Sequence, residues 1–189
     1  MKIALLLTGQ TRTFDTTKES ILSNFDGHDL DLYTAEHVDI KHDFSILNRP
    51  NDIFSTSTRA KEHGAYWVNR LLAQWYNVKL VYDKLNTTKA YDIVFRCRYD
   101  VLFNAKIDLK CNDSLNVPMP HPVHTYNDHF AYGNQDIMSK YCSMYDAYLD
   151  MYKKNNIDIS YAEETLKFYI EEVCNITTSF INCNYIIEK

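Results

Sequence analysis

The sequence predicts an α/β domain with a mixed, mostly parallel central sheet flanked by helices. Three observations carry this. The chain opens on a continuous apolar run, Ile3 to Leu7, followed by a helical stretch and an alternating strand. A second run, Ile93 to Arg98, starts apolar and ends charged. Helical periodicity separates these strands, and strand–helix–strand order builds parallel sheets.

Each element follows from local pattern. Lys2–Thr8 does not alternate, so it reads as a strand covered on both faces. Gly9 to Phe14 forms the loop at its carboxyl end. A helix is predicted from Thr16 to Phe25, with Ile21, Leu22 and Phe25 on one side and Asp26-Gly27 as its stop. Leu30–Thr34 alternates and reads as the second strand. Residues 37–59 are polar and weakly patterned, a long excursion of the kind that is usually functional or mobile. A long helix is predicted from Arg59 to Tyr82, because Trp67, Leu71, Trp75, Val78 and Tyr82 recur at steps of three or four. Asn86-Thr87-Thr88 is a turn, and Tyr91 to Leu102 reads as one strand.

Further on, Ile107 to Asn116 carries no clear pattern. Val117 to Pro122 holds three prolines, which remove ladder donors, so an edge strand or a loop over the pocket is expected there. Asn127 to Gly133 reads as a strand. Asn134 is placed to cap a helix carrying Ile137, Tyr141, Tyr145, Tyr148 and Tyr152 on one side, ended by Asn155-Asn156. Those tyrosines fit a core better than a sugar-stacking platform, and a dimer surface is a further use for them. A last helix runs from Tyr161 to Val173, opened by the capping-box pair Ser160 and Glu163. Ser179 to Ile187 ends the chain as a final strand.

Bulk properties narrow the function. At 189 residues the chain fits one domain, 1–189. A net charge of -5 and a pI near 5.8 argue against non-specific nucleic-acid binding. Four glycines rule out both the dinucleotide fingerprint and the P-loop. Five cysteines with no C-x-x-C spacing indicate reduced thiols, not a disulfide framework or zinc cluster. The opening apolar run is too short for a signal peptide, and no run approaches the ~18 residues of a membrane span. A cytoplasmic location is expected. The asparagine and tyrosine richness fits AT-rich coding, as in some viruses, and a viral chain would act in the host cytoplasm.

Three groups of residues can carry chemistry. The loop Thr8-Gly9-Gln10-Thr11-Arg12 offers a glycine for close backbone approach, an amide, and an arginine able to clamp a phosphate. On composition alone a plain strand-to-helix turn with Arg12 in solvent accounts for it more readily. Arg96, Arg98 and Asp100 alternate along one strand, so they share a face, opposite Phe95, Cys97 and Tyr99. Asp100 could hold a divalent cation while the arginines meet phosphate; an internal Arg–Asp ion pair explains the spacing as well. Asp128 and Glu163 could bind sugar hydroxyls or act as a base, although a turn and a capping box account for them structurally. His121, His124 and His129 match no zinc signature and read as loop histidines.

Taken in order, the opening strand with Thr8 to Phe14, the segment Tyr91 to Asp100, the segment Asp128 to Gly133 and the segment Ala162 to Leu166 resemble the small GT-A-type glycosyltransferase-like proteins of bacteriophages, large viruses and bacterial polysaccharide loci. The resemblance implies a GT-A-like, Rossmann-like fold that binds a nucleoside-diphosphate sugar, UDP-linked above all, with a glycan as acceptor. It implies that Thr8, Gly9, Gln10, Arg12, Arg96 and Arg98 bind the donor. Asp100 would hold Mn²⁺ or Mg²⁺ at the last position of an Asp-x-Asp-like motif, whose first position here is Arg98. Asp128 and Glu163 would be the acceptor or catalytic carboxylates. A non-catalytic sugar-nucleotide or glycan-binding module is the alternative, and a sulfo- or phosphoryl transferase is a further one.

Overall fold

A computed structural model describes residues 1–35, 37–39, 65–85, 88–120, 126–155 and 162–188. Within these residues six strands form the main sheet and two more form a small ribbon. The first strand, β1 (Lys2–Thr8), runs parallel to β2 (Asp29–Thr34) on one side and to β3 (Ile93–Arg98) on the other. Beyond β3 the sheet turns antiparallel through β6 (Phe130–Gly133), then continues to β5 (Leu115–Pro118) and β7 (Thr178–Ile181), giving the order β2-β1-β3-β6-β5-β7. The ribbon pairs β4 (Val101–Phe103) with β8 (Tyr185–Ile187). The α/β fold with a mixed sheet, expected from the sequence, is the fold observed.

Both faces of the sheet are covered, which explains the unbroken apolar run of β1. Ala4, Leu6 and Val94 enter a core built with α2 (Ala65–Asp83), α3 (Gln135–Cys142) and α4 (Met144–Asn155). Ile3, Leu5, Leu7, Phe95 and Cys97 enter a second core with Ile21 of α1 (Phe14–Leu22) and with the ribbon. The alternation along β3 is therefore real, and it separates its arginines from its aromatic side. The tyrosines Tyr141 and Tyr148 are fully buried, so they serve the core. Asn134 caps α3 as expected, its Oδ1 accepting from the Ile137 amide at 2.9 Å.

Five expectations are corrected. The segment Tyr91 to Leu102 is two strands, not one. The chain turns at Tyr99-Asp100, where Thr17 donates to the Tyr99 carbonyl at 2.5 Å and the Glu188 amide donates to the Asp100 carbonyl at 2.8 Å. Val117 and Pro118 lie in an interior strand. Pairing of β5 with β6 is confined to Asn116 and Tyr132, so Pro118 removes no bond from that ladder, while the Leu115 and Met119 amides serve the β7 side. The helix after Asn134 breaks at Ser143, earlier than Asn155. The final strand is split into β7 and β8. The helix expected up to Val173 is α5 (Ala162–Phe168) continued by a wider π-type turn, Tyr169–Val173. Most of the 37–59 excursion, His121, His124 and Ser160 lie outside the described residues, as do the side chains of Trp67 and Tyr152. No helix among the described residues is long and apolar enough to cross a membrane.

Candidate functional site

A cleft of about 340 Å³ opens where β1 and β3 end. Parallel strands put their carboxyl ends on one edge, and that edge is where α/β sheets bind ligands. Thr8, Gly9, Gln10 and Arg12 line it from the first strand and its loop; Arg96, Arg98 and Asp100 line it from the third. All seven donor and cation residues proposed from sequence thus meet in one place. Gly9 takes φ +100, a conformation that side chains resist, and turns the chain sharply out of β1 into the 3-10 turn Thr11–Thr13 that leads into α1. Arg12 stands in that turn, exposed.

Arg96 is fully buried and is positioned by its neighbours. Its Nε donates to Thr8 Oγ1 at 3.0 Å, and its Nη1 donates to the Asp128 carbonyl. Its Nη2 has no hydrogen-bond partner among the described residues. The Tyr141 hydroxyl interacts with this guanidinium. Thr8 therefore acts through Arg96, its hydroxyl fixing the guanidinium beside the cleft.

Arg98 and Asp100 form a two-pronged ion pair. Arg98 Nε donates to Asp100 Oδ1 at 2.9 Å and Nη2 donates to Oδ2 at 2.6 Å. Such forks are among the stronger protein hydrogen-bond arrangements. Behind Arg98 lies Asp128, whose Oδ1 is 3.7 Å from Arg98 Nη1 and 3.9 Å from His129 Nε2, and whose Oδ2 accepts from Gln74. Burial opposes the charge on Arg98, yet the Asp100 fork and the Asp128 charge outweigh it and hold its proton more tightly than usual. Burial would likewise raise the Asp128 carboxyl, but Arg98, His129 and Arg96 bring it below the usual carboxylate range.

The opposite wall comes from residues that the sequence reading passed over. Arg70, Gln74 and Asn77 of α2 line the cleft at steps of four and three. They form a polar stripe beside the apolar Leu71, Trp75 and Val78, and that stripe was the available signal. Asn77 is buried and holds the chain beyond β2 from both sides: its Oδ1 accepts from the Val38 amide at 2.9 Å, and its Nδ2 donates to the Val38 carbonyl at 2.9 Å. This strap presents His37 and Asp39, paired at 3.2 Å, to the cleft.

The two expected catalytic carboxylates are not brought together at the cleft surface. Asp128 leaves only 9% of its side chain exposed, behind Arg98. Glu163 stands in the first turn of α5 and is not among the residues that line the cleft.

The fit to a divalent cation can be tested on these contacts. Both oxygens of Asp100 are already engaged by Arg98, and a cation on either would share it with a guanidinium nitrogen at 2.6 or 2.9 Å. Asp128 is engaged by Gln74 and faces Arg98. Among the described residues no group of three histidine, cysteine or acidic side chains could hold a metal ion. A cation at Asp100 would therefore have to compete with the Arg98 fork.

No protein-family model matches the chain, and no curated protein matches it by sequence. Among solved structures it is similar to a glycosyltransferase involved in the glycosylation of the major capsid of PBCV-1, at 14% identity and a TM-score of 0.52, covering 96% of this chain and 83% of that one. It is also similar to the apo-form glycosyltransferase GlyE of Streptococcus pneumoniae TIGR4, at 9% identity and a TM-score of 0.50, covering 95% of this chain and 45% of that one. The chain thus spans less than half the length of the pneumococcal protein. The likeness runs over nearly the whole chain and shows that the fold is that of GT-A-like glycosyltransferases.

Proposed function

We propose that the cleft binds a nucleoside-diphosphate sugar, with UDP as the first candidate carrier, and that the chain transfers the glycosyl group to a hydroxyl of a glycan or other acceptor. One observation carries the reading. In a chain of net charge -5, the lining holds four arginines against two aspartates, at the carboxyl edge of parallel strands. Such a cleft suits a compact, doubly charged anion with a polar organic part, and a diphosphate ester has that form. The fold shared with glycosyltransferases agrees with it.

In the reaction the bond between the anomeric carbon and the terminal phosphate oxygen breaks, and its electron pair leaves with that oxygen. The acceptor oxygen bonds to the anomeric carbon, and its proton passes to the departing diphosphate oxygen, directly or through water. Arg12 and Arg98, with the loop at Gly9, are the groups placed to meet the charge that gathers on the leaving diphosphate. Asp128 serves as the counter-ion of Arg98. Its burial makes it unsuited to taking the acceptor's proton, and Glu163 would do so only in a complex that brings α5 to the cleft.

The buried position of Asp128 and the placement of Glu163 favour a second reading, a module that holds the sugar nucleotide without transferring it. One screen separates these. Full-length protein is heated with UDP, GDP and their sugars, and release of nucleoside diphosphate is followed in parallel. A ligand at a hundred times its Kd stabilises the native state by about 2.7 kcal/mol. That raises the melting temperature of a chain of this size by roughly 5–11 °C. Binding with turnover supports the transferase, and binding with neither transfer nor hydrolysis supports the module. No shift with any of these ligands refutes both.

A further inference from the structure

We propose that this cleft offsets diphosphate charge with a guanidinium, and that Asp100 serves to hold Arg98 in place and not to bind a divalent cation. Nucleoside-diphosphate binding then does not require metal. The inference rests on the reading of the cleft given above and specifies its electrostatics.

The geometry points to it at three levels. First, each Asp100 oxygen already accepts from Arg98, at 2.9 and 2.6 Å, so the carboxylate is committed to the guanidinium as its counter-ion. Second, the fork uses Nε and one Nη2 hydrogen. A guanidinium carries five N–H donors in a fixed plane, so donors on Nη1 and Nη2 remain for a ligand. The 27% exposure of the Arg98 side chain, together with its place in the cleft lining, gives them access. Third, the arrangement is braced from behind. Asp128 sits 3.7 Å from Nη1, and its backbone carbonyl accepts from Arg96, so the two guanidinium groups are tied to one residue. A cation entering at Asp100 would have to displace a two-pronged ion pair and then sit beside the freed positive charge.

In the transfer step no proton moves to or from Arg98. The carbon–oxygen bond breaks towards the phosphate oxygen, and the guanidinium donates hydrogen bonds to the developing charge. This is the electrostatic role that a divalent ion plays elsewhere, performed here by a group that is charged at every physiological pH.

The test uses the full chain stripped of metal with EDTA. UDP, GDP and inorganic pyrophosphate are titrated by calorimetry in EDTA and again with Mn²⁺ or Mg²⁺. The expected result is that a nucleoside diphosphate binds in EDTA with a Kd within about threefold of its value with metal. Arg98→Gln should weaken UDP and pyrophosphate about tenfold or more, the loss of one charge-assisted contact. Arg98→Lys, which keeps a cation, should recover part of that and serves as the second variant if Arg98→Gln does not fold. Asp100→Asn should weaken binding by the same factor in EDTA and with metal, because it loosens Arg98, whereas loss of a cation ligand would weaken binding only where metal is present. Binding that appears only with Mn²⁺ or Mg²⁺ and vanishes in Asp100→Asn overturns the inference while leaving the proposed function standing. Absence of binding by UDP, GDP and pyrophosphate in both conditions overturns the proposed function, and the inference with it.

Discussion

Replacing Asp128 by alanine tests whether the site is organised around a buried counter-ion. Asp128 accepts from Gln74, faces Arg98 at 3.7 Å and His129 at 3.9 Å, and is almost wholly enclosed. Removing one partner of a buried ion pair costs about 3–5 kcal/mol. Here the lower end applies, because Arg98 remains paired with Asp100. A loss of about 3 kcal/mol lowers the melting temperature by roughly 6–12 °C in a chain of this length. Asp128→Asn keeps an acceptor for Gln74 and should cost only about 1–2 kcal/mol. The pH dependence has a definite sign. The folded carboxyl lies below its ordinary range, so its stabilisation is present above the unfolded value of ~3.9 and is lost as pH falls through the folded one. The gap between the native protein and Asp128→Asn should therefore close on acidification. Urea unfolding at several pH values, followed by tryptophan fluorescence, measures this. A change below about 0.5 kcal/mol for Asp128→Ala at neutral pH, typical of an exposed surface site, would refute the reasoning. So would a gap that widens in acid.

Gly9→Ala should cost about 1–2 kcal/mol through its φ of +100 alone, because an added Cβ meets no atom within 4 Å; an unchanged urea midpoint would show that the loop can leave this conformation freely. Asn77→Leu deletes two hydrogen bonds to Val38 and one to the Ala73 carbonyl, a loss of about 1–3 kcal/mol in all. Hydrogen exchange at the Val38 amide should accelerate, and unchanged protection there would remove the strap from the account. His129 is pushed below its ordinary value by burial and by Arg98, against the opposing charge of Asp128, while its Nδ1 meets the Tyr185 hydroxyl at 2.9 Å. The unfolded chain then binds the proton more readily, so stability falls as pH drops below ~6.5. His129→Gln should flatten that slope, and equal slopes would exclude His129 as its source.

The sequence revealed most where one physical rule acts locally. Five unbroken apolar residues mark a strand covered on both faces, alternate arginines on β3 share a side, and Asn134 caps a helix. What stayed hidden depends on partners far along the chain. The break at Tyr99-Asp100 needs Thr17 and Glu188, and neither is visible from the run Tyr91 to Leu102. Three prolines suggested an edge, but β5 is interior because its pairing with β6 stops before Pro118. At Arg98 and Asp100 the spacing allowed an ion pair or a cation site, and only the side-chain torsions of the folded protein closed the fork. The wall formed by Arg70, Gln74 and Asn77 was masked by the strength of the apolar repeat beside it.

The amide of Glu188 that holds the Asp100 turn has a consequence for how the molecule assembles. The turn is clamped by a residue that follows β8, while Arg96 is aimed by Thr8 at the other extreme of the sequence, a separation of 88 positions. Contacts of such long range form only after much chain entropy has been lost, and they come late in folding. The cleft is thus expected to be complete only once the β1–β3 pairing and the β4–β8 ribbon have both closed. A variant that loosens the β4–β8 ribbon should surrender its ligand before it surrenders its sheet, so that occupancy of the cleft reports on completion of the whole fold.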